Sequence, residues 1–130
     1  MSLVIPVSAE INMLKSIVED RLTICLYSNA YTPDKDSSTD SFVEVEGGGY
    51  SKKLLESSNW KIIKEEKVRI EHPEVTWKFQ TTVGQVYGYY VKDINNQLVW
   101  AERFVNGPYD IDTFGDSIAV TPSLTIRQGQ

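Results

Sequence analysis

The stretch Asp34-Lys35-Asp36-Ser37-Ser38-Thr39-Asp40 puts oxygen-bearing side chains at every second position, as a calcium loop does. An EF-hand also needs Gly at its sixth position and Glu at its twelfth. Those positions here hold Thr39 and Val45, so the stretch reads as a solvated loop. The chain has one cysteine, Cys25, and one histidine, His72. One of each makes no standard zinc site, and a single cysteine makes no intrachain disulfide. A cysteine nucleophile needs a base beside it, and nothing in the spacing brings His72 to Cys25. Cys25 lies among alternating residues in LTICLY and reads as a buried filler. His72 precedes Pro73 and reads as a partly exposed strand-end residue.

Other chemistry is equally thin. Gly47-Gly48-Gly49 lacks the Lys-Ser/Thr of a phosphate loop and reads as a bend or bulge. No G-x-S-x-G motif occurs. Glu44 with Glu46, and Asp110 with Asp112, are pairs two apart and read as solvated faces. The expectation is a protein that is not an enzyme, with no catalytic residue, cofactor or metal site.

The elements that hold these residues belong to one domain of 130 residues. Hydrophobic residues make up 41% and charged residues 24%, which suits a globular chain rather than a disordered one. The net charge of -5 argues against phosphate binding, and Lys52-Lys53 is the only basic doublet, so no nucleic-acid partner is expected. No apolar run reaches the length of a membrane span, so no membrane partner is expected. MSLVIPVSAEINM has no positive n-region and is not expected to be a signal peptide.

Three parts are predicted. Residues 1-7 form an extended apolar arm, because Pro6 disfavours helix at Ile5. Residues 8-20 form one short helix, with Ser8 as N-cap and Ile11, Leu14, Ile17 and Val18 on one face. Residues 21-130 form the β domain. Its period of two recurs in Leu22 to Tyr27, Phe42 to Glu46, Trp60 to Lys64, Val68 to Glu71 and Val75 to Phe79. It recurs again in a hairpin, in Ile118 to Val120 and in Leu124 to Ile126. The fold class is mainly β: an antiparallel β-sandwich or barrel of about eight short strands with one N-terminal helix.

The hairpin is VYGYYVKDINNQLVWAERF, with five aromatic residues in one stretch. A two-residue turn at Asn95-Asn96 pairs Val91 with Trp100, Tyr89 with Glu102 and Tyr87 with Phe104 on one face. The other face pairs Lys92 with Val99, Tyr90 with Ala101 and Gly88 with Arg103. The first face reads as core, with Tyr89 placed to satisfy Glu102. On the second, Arg103 is expected to lie over Tyr90, and a partner is expected to touch this face or the turn at Ile94 to Gln97.

Several segments resemble a family of small virion structural proteins of tailed bacteriophages. They are LTICLYSNAYTPD, VEGGGYSKKLL, SSNW, HPEVTWKF, VYGYYVKDINNQLVWAERF, NGPYDI and FGDSIAVTPSLTI, in order from Leu22 to the C-terminus. VYGYYV followed by LVWAERF is the most specific piece. The resemblance implies a particle component with no active site, located in the virion after assembly in the bacterial host cytoplasm. The implied function is a capsid decoration or cement protein that bridges capsid subunits as a homo-oligomer, a trimer being expected. Its partners would be the major capsid protein or other virion proteins. The alternatives are a head–tail junction, tail or fibre component, and a glycan-binding β-sandwich using Tyr and Trp. Candidate contacts are Leu3, Val4 and Ile5 in the arm, Tyr31 and Tyr109 in loops, and Tyr90 and Arg103 on the second hairpin face. The arm is expected to add a strand to a neighbour's sheet edge.

Overall fold

The computed structural model of the protein describes residues 4–125. Leu3 of the arm and Ile126 of the last predicted strand lie outside the described residues. Within them the chain is mainly β, as predicted, with one α-helix and eleven short strands paired antiparallel. The helix is α1 (Val7–Val18). The strands are β1 (Leu22–Tyr27), β2 (Lys53–Leu55), β3 (Lys61–Lys64), β4 (Val68–Glu71), β5 (Val75–Lys78) and β6 (Gly84–Val86). They continue as β7 (Gly88–Lys92), β8 (Leu98–Arg103), β9 (Tyr109–Ile111), β10 (Ser117–Val120) and β11 (Ser123–Thr125).

The strand count exceeds the expected eight for three reasons. The run Val86 to Lys92 breaks at Tyr87 into β6 and β7. Lys53–Leu55, which periodicity leaves ambiguous, pairs with β1. Tyr109–Ile111, read as loop because turn formers surround it, pairs with β6. One predicted strand is absent: Phe42 to Glu46 makes only an isolated bridge between Glu44 and Tyr27.

The helix also starts earlier than predicted. Pro6, with φ -60° and ψ 152°, takes the N-cap position, and its carbonyl accepts the N–H groups of Ala9 and Glu10, each at 3.0 Å. Proline fixes φ and so sets the boundary, leaving Ser8 inside the first turn without a capping role. Leu14 and Val18 are buried from α1, with Ile11 and Ile17 packed beside them. Period 3.6 thus delivers the face that the sequence marks.

The largest sheet has the order β2-β1-β7-β8; smaller sheets have orders β11-β4-β3, β10-β5 and β6-β9. One core joins them all. Leu22, Ile24, Leu26, Tyr89 and Val91 face it from the large sheet, Val68, Ile70, Val75, Trp77, Ile118 and Val120 from the smaller ones, and Leu14 and Val18 from α1. This is a sandwich-like arrangement in which each element hides one face.

The centre of the large sheet tolerates only one residue type at position 88. Tyr27 lies directly opposite Gly88 in the β1–β7 register. A Cβ built on Gly88 would sit 2.3 Å from the Glu102 carbonyl oxygen and 2.7 Å from the Tyr27 ring. The ring occupies the space a side chain would need, so Gly88 serves close approach rather than flexibility. Gly88→Ala is expected to cost about 1–3 kcal/mol through forced overpacking. Urea unfolding followed by fluorescence would read it as a lower midpoint at unchanged slope.

Candidate interaction surfaces

The hairpin register matches the expectation over four pairs: Gly88 with Arg103, Tyr89 with Glu102, Tyr90 with Ala101 and Val91 with Trp100. Tyr89 donates to the Glu102 carboxylate at 3.0 Å, as placed. The turn differs. Asp93 Oδ1 accepts the N–H groups of Asn95 and Gln97 at 2.8 and 2.9 Å, and Asn96 takes the left-handed φ of 63°. The longer turn is absorbed by a bulge that sets Lys92 opposite Leu98 rather than Val99.

The second face is not open. The segment between β1 and β2 folds back across it and lays Phe42 on Tyr90, with ring centres 4.6 Å apart and planes 11° from parallel. Tyr27 meets Phe42 at 4.8 Å, and Tyr31 meets it edge-on at 5.3 Å. Cys25, Tyr27, Phe42 and Tyr90 form a second buried cluster, joined by Tyr31, Tyr87, Leu98 and Ala101. Tyr90 is therefore core, only 4% exposed, and its expected role as a contact residue is corrected. Stacked aromatics bury too much area to be left for a partner.

The covering segment is closed at its neck. Asn29 donates to the Ser41 carbonyl at 3.0 Å and accepts from the Val43 N–H at 2.9 Å. The Ser28 N–H bonds the Val43 carbonyl at 2.8 Å. Farther out, Asp34 Oδ1 accepts the Asp36 N–H at 2.9 Å, so this acid serves a local turn. Thr39 donates to the Asn96 carbonyl at 3.2 Å and fastens the segment to the hairpin turn. Glu44 and Tyr50 bind the other side: Tyr50 donates to Glu44 at 2.7 Å and accepts the Leu26 N–H at 3.1 Å.

The remaining candidates scatter. Tyr31 is half-buried and shares a 2.5 Å hydrogen bond with Ser37. Arg103 lies over Tyr87 at 5.2 Å, not over Tyr90, and donates to Thr32 at 2.9 Å. The interruption at Tyr87 turns that ring away from the main core and onto the second cluster, which moves it under Arg103. Tyr31, Tyr90 and Arg103 thus come together around one covered face. Tyr109 lies elsewhere, 38% exposed, with its ring 5.0 Å from Phe104. In the arm, Val4 is exposed and Ile5 half-buried. Ile94, in the turn that the sequence also offers to a partner, is 71% exposed. Sequence reasoning missed Val105 and Phe114, 91% and 82% exposed, whose signal is a large apolar residue directly before Asn106-Gly107 or Gly115.

The three tryptophans behave as core residues. Trp77 is buried and donates to the Ser51 carbonyl at 2.9 Å. Trp60 and Trp100 pack against the main core and meet edge-on at 6.0 Å. His72 is buried against Trp60 at 5.2 Å, and its Nδ1 lies 2.8 Å from the Pro73 carbonyl. Cys25 belongs to the opposite cluster, so no Cys–His pair forms. Among the described residues no three His, Cys, Asp or Glu side chains are placed to hold a metal ion, and no helix is long and apolar enough to cross a membrane. No protein-family model, curated protein or solved structure matches the chain.

Burial, with Glu44 close by, pushes the Cys25 thiol up to about 11. Burial pushes the Tyr27 hydroxyl up to about 12. Tyr89 and Tyr90 move in the same direction, chiefly by burial. The folded state therefore holds these protons more tightly than the unfolded state. Their contribution is complete below the unfolded values and is lost as pH rises through the folded ones. Stability against urea is expected to fall between about pH 9 and 12, with Cys25 and then Tyr27 released. At about pH 8 the native thiol should resist iodoacetamide and react only after unfolding. Mass spectrometry of the alkylated chain checks this.

Proposed function

We propose that this chain is a non-enzymatic structural protein of a tailed-phage virion, and that it decorates the head by bridging neighbouring capsid subunits. The sequence resemblance supplies the class. The observation that carries the reading is the exposure of Val105 and Phe114, 91% and 82%, in the loops on either side of β9. Both faces of the large sheet are already covered, so these side chains have no core to serve. Burying one such side chain contributes about 1.5–3 kcal/mol. Val4, 76% exposed, offers a further apolar contact from the arm. A bridging protein gains by binding only the assembled shell, which then becomes harder to disrupt.

Purified heads lacking this protein, mixed with the recombinant chain and sedimented, test the reading. The chain is expected to bind at a copy number set by repeated capsid junctions and to raise the temperature at which heads rupture. A copy number matching a single ring, or binding to tails alone, would replace the head reading with a junction or tail component. Phe114→Ser is expected to weaken head binding at least about tenfold, the equivalent of roughly 1.4 kcal/mol. Deleting residues 1–7 is expected to weaken it as well; unchanged binding would remove the arm from the interface.

A further inference from the structure

The sequence shows no basic stripe, but the fold assembles a positive depression. Arg21 precedes β1, Lys52 precedes β2 and Lys92 ends β7. Thr23 pairs with Leu54 on one side and Lys92 on the other, and Arg21 and Lys52 each lie two residues from that row, on the same face of the sheet. The three cations line a depression of about 370 Å³ together with Leu54 and Ile94. Leu54 is 46% exposed and Ile94 71%. Among the described residues, the ion pairs are those of Arg69 with Glu65 and Glu71, and none of the three cations forms one. Asp93 borders the depression, but its Oδ1 is occupied by the N–H groups of Asn95 and Gln97. Three cations against the one carboxylate of Asp93, beside two exposed aliphatic chains, leave the depression net positive in a protein of net charge -5.

The two-stranded β6–β9 sheet has the opposite character. It follows on the strand end where Tyr27 meets Gly88 and the Phe104 N–H bonds the Tyr87 carbonyl. Tyr109 packs on Phe104, and β9 carries on from that point. Asp110 and Asp112 are exposed on either side of buried Ile111. Asp116 follows, its carboxyl held below the ordinary range by hydrogen bonds from Thr113 and Asp112. Phe114 stands exposed between them. Among the described residues no ion pair joins these acids to Arg21, Lys52 or Lys92 of the same chain.

We propose that the chain self-associates head to tail: the depression lined by Arg21, Lys52 and Lys92 takes the Asp110, Asp112 and Phe114 end of a second copy. The acids meet the cations, and Phe114 packs against Leu54 and Ile94. Such a contact joins two different surfaces, so it closes into a ring when the rotation per copy allows and otherwise extends. The contact joins two internal surfaces of the chain and does not depend on the capsid reading.

Two double variants test it, each on exposed positions. Arg21→Ser with Lys52→Ser neutralises the depression; Asp110→Lys with Asp112→Lys spoils the acidic end. Circular dichroism establishes that both fold. Sedimentation analysis is expected to show the wild type assembling, each variant alone monomeric, and an equimolar mixture forming a 1:1 dimer and nothing larger. That last result follows because only one intact depression and one intact acidic end remain in each mixed pair. Raising salt from about 50 mM to about 500 mM should weaken wild-type assembly at least about tenfold, through screening. A wild type that stays monomeric at low salt would overturn the proposal. So would either variant assembling like the wild type, or a mixture that remains monomeric. Phe114 serves either contact but not both at once; the size of the free chain in solution tests self-association and the copy number on heads tests the capsid reading, so the two fail in separate measurements.

Discussion

The approach of Tyr27 to Gly88 is the contact on which the large sheet depends. β1 and β7 are its two central strands, and the Tyr27 ring fills the space that a side chain at Gly88 would need. The missing Cβ lets the Tyr27 ring lie flat against the backbone, and the ring becomes the floor of a second core. From there its hydroxyl donates to the Tyr31 carbonyl at 2.9 Å and so fixes the start of the covering segment. Phe42 completes the stack on Tyr90. A sheet with one solvated face would need none of this. Here the short strands gain from burial on both faces, which compensates for sheets of only two or three strands elsewhere in the fold.

Covering both faces has a functional corollary. Aromatic residues that look available in the sequence are spent on structure, and what stays exposed moves to the loop tips. Val105, Phe114 and Ile94 all lie in connections rather than on strand faces. Scattered exposed side chains are ordinary on a monomer, but loop tips are where a rigid scaffold presents its contacts. The division of charge follows the same geometry. Arg21, Lys52 and Lys92 line one depression on the large sheet, and Asp110 and Asp112 flank Ile111 of β9 in a separate sheet.

Periodicity made much of this legible. The buried face of α1, the alternation in β4 and β5 and the register from Gly88 to Val91 all follow from side-chain spacing. The Tyr89–Glu102 bond followed from that register. What stayed hidden depends on contacts that spacing cannot encode. Phe42 covers Tyr90 only because a long irregular segment returns across the sheet. One interrupted position, Tyr87, reversed a side chain, since a single-residue slip exchanges faces. β9 was masked by the turn formers around it. The basic depression draws on Arg21, Lys52 and Lys92, far apart in the chain and joined only by strand pairing.

The neck formed by Asn29 separates the covering segment into two parts with different mechanical duties. Below it, Phe42 and Tyr31 hold the second core; beyond it, Asp34, Lys35 and Asp36 project into solvent. Because the ends of the excursion are pinned by the Asn29, Ser41 and Val43 bonds, its outer length is nearly free. Doubling a flexible loop adds only about 0.6 kcal/mol of closure entropy. Residues 34–36 are therefore a natural graft point, where a foreign peptide can be displayed while the stack beneath it stays intact.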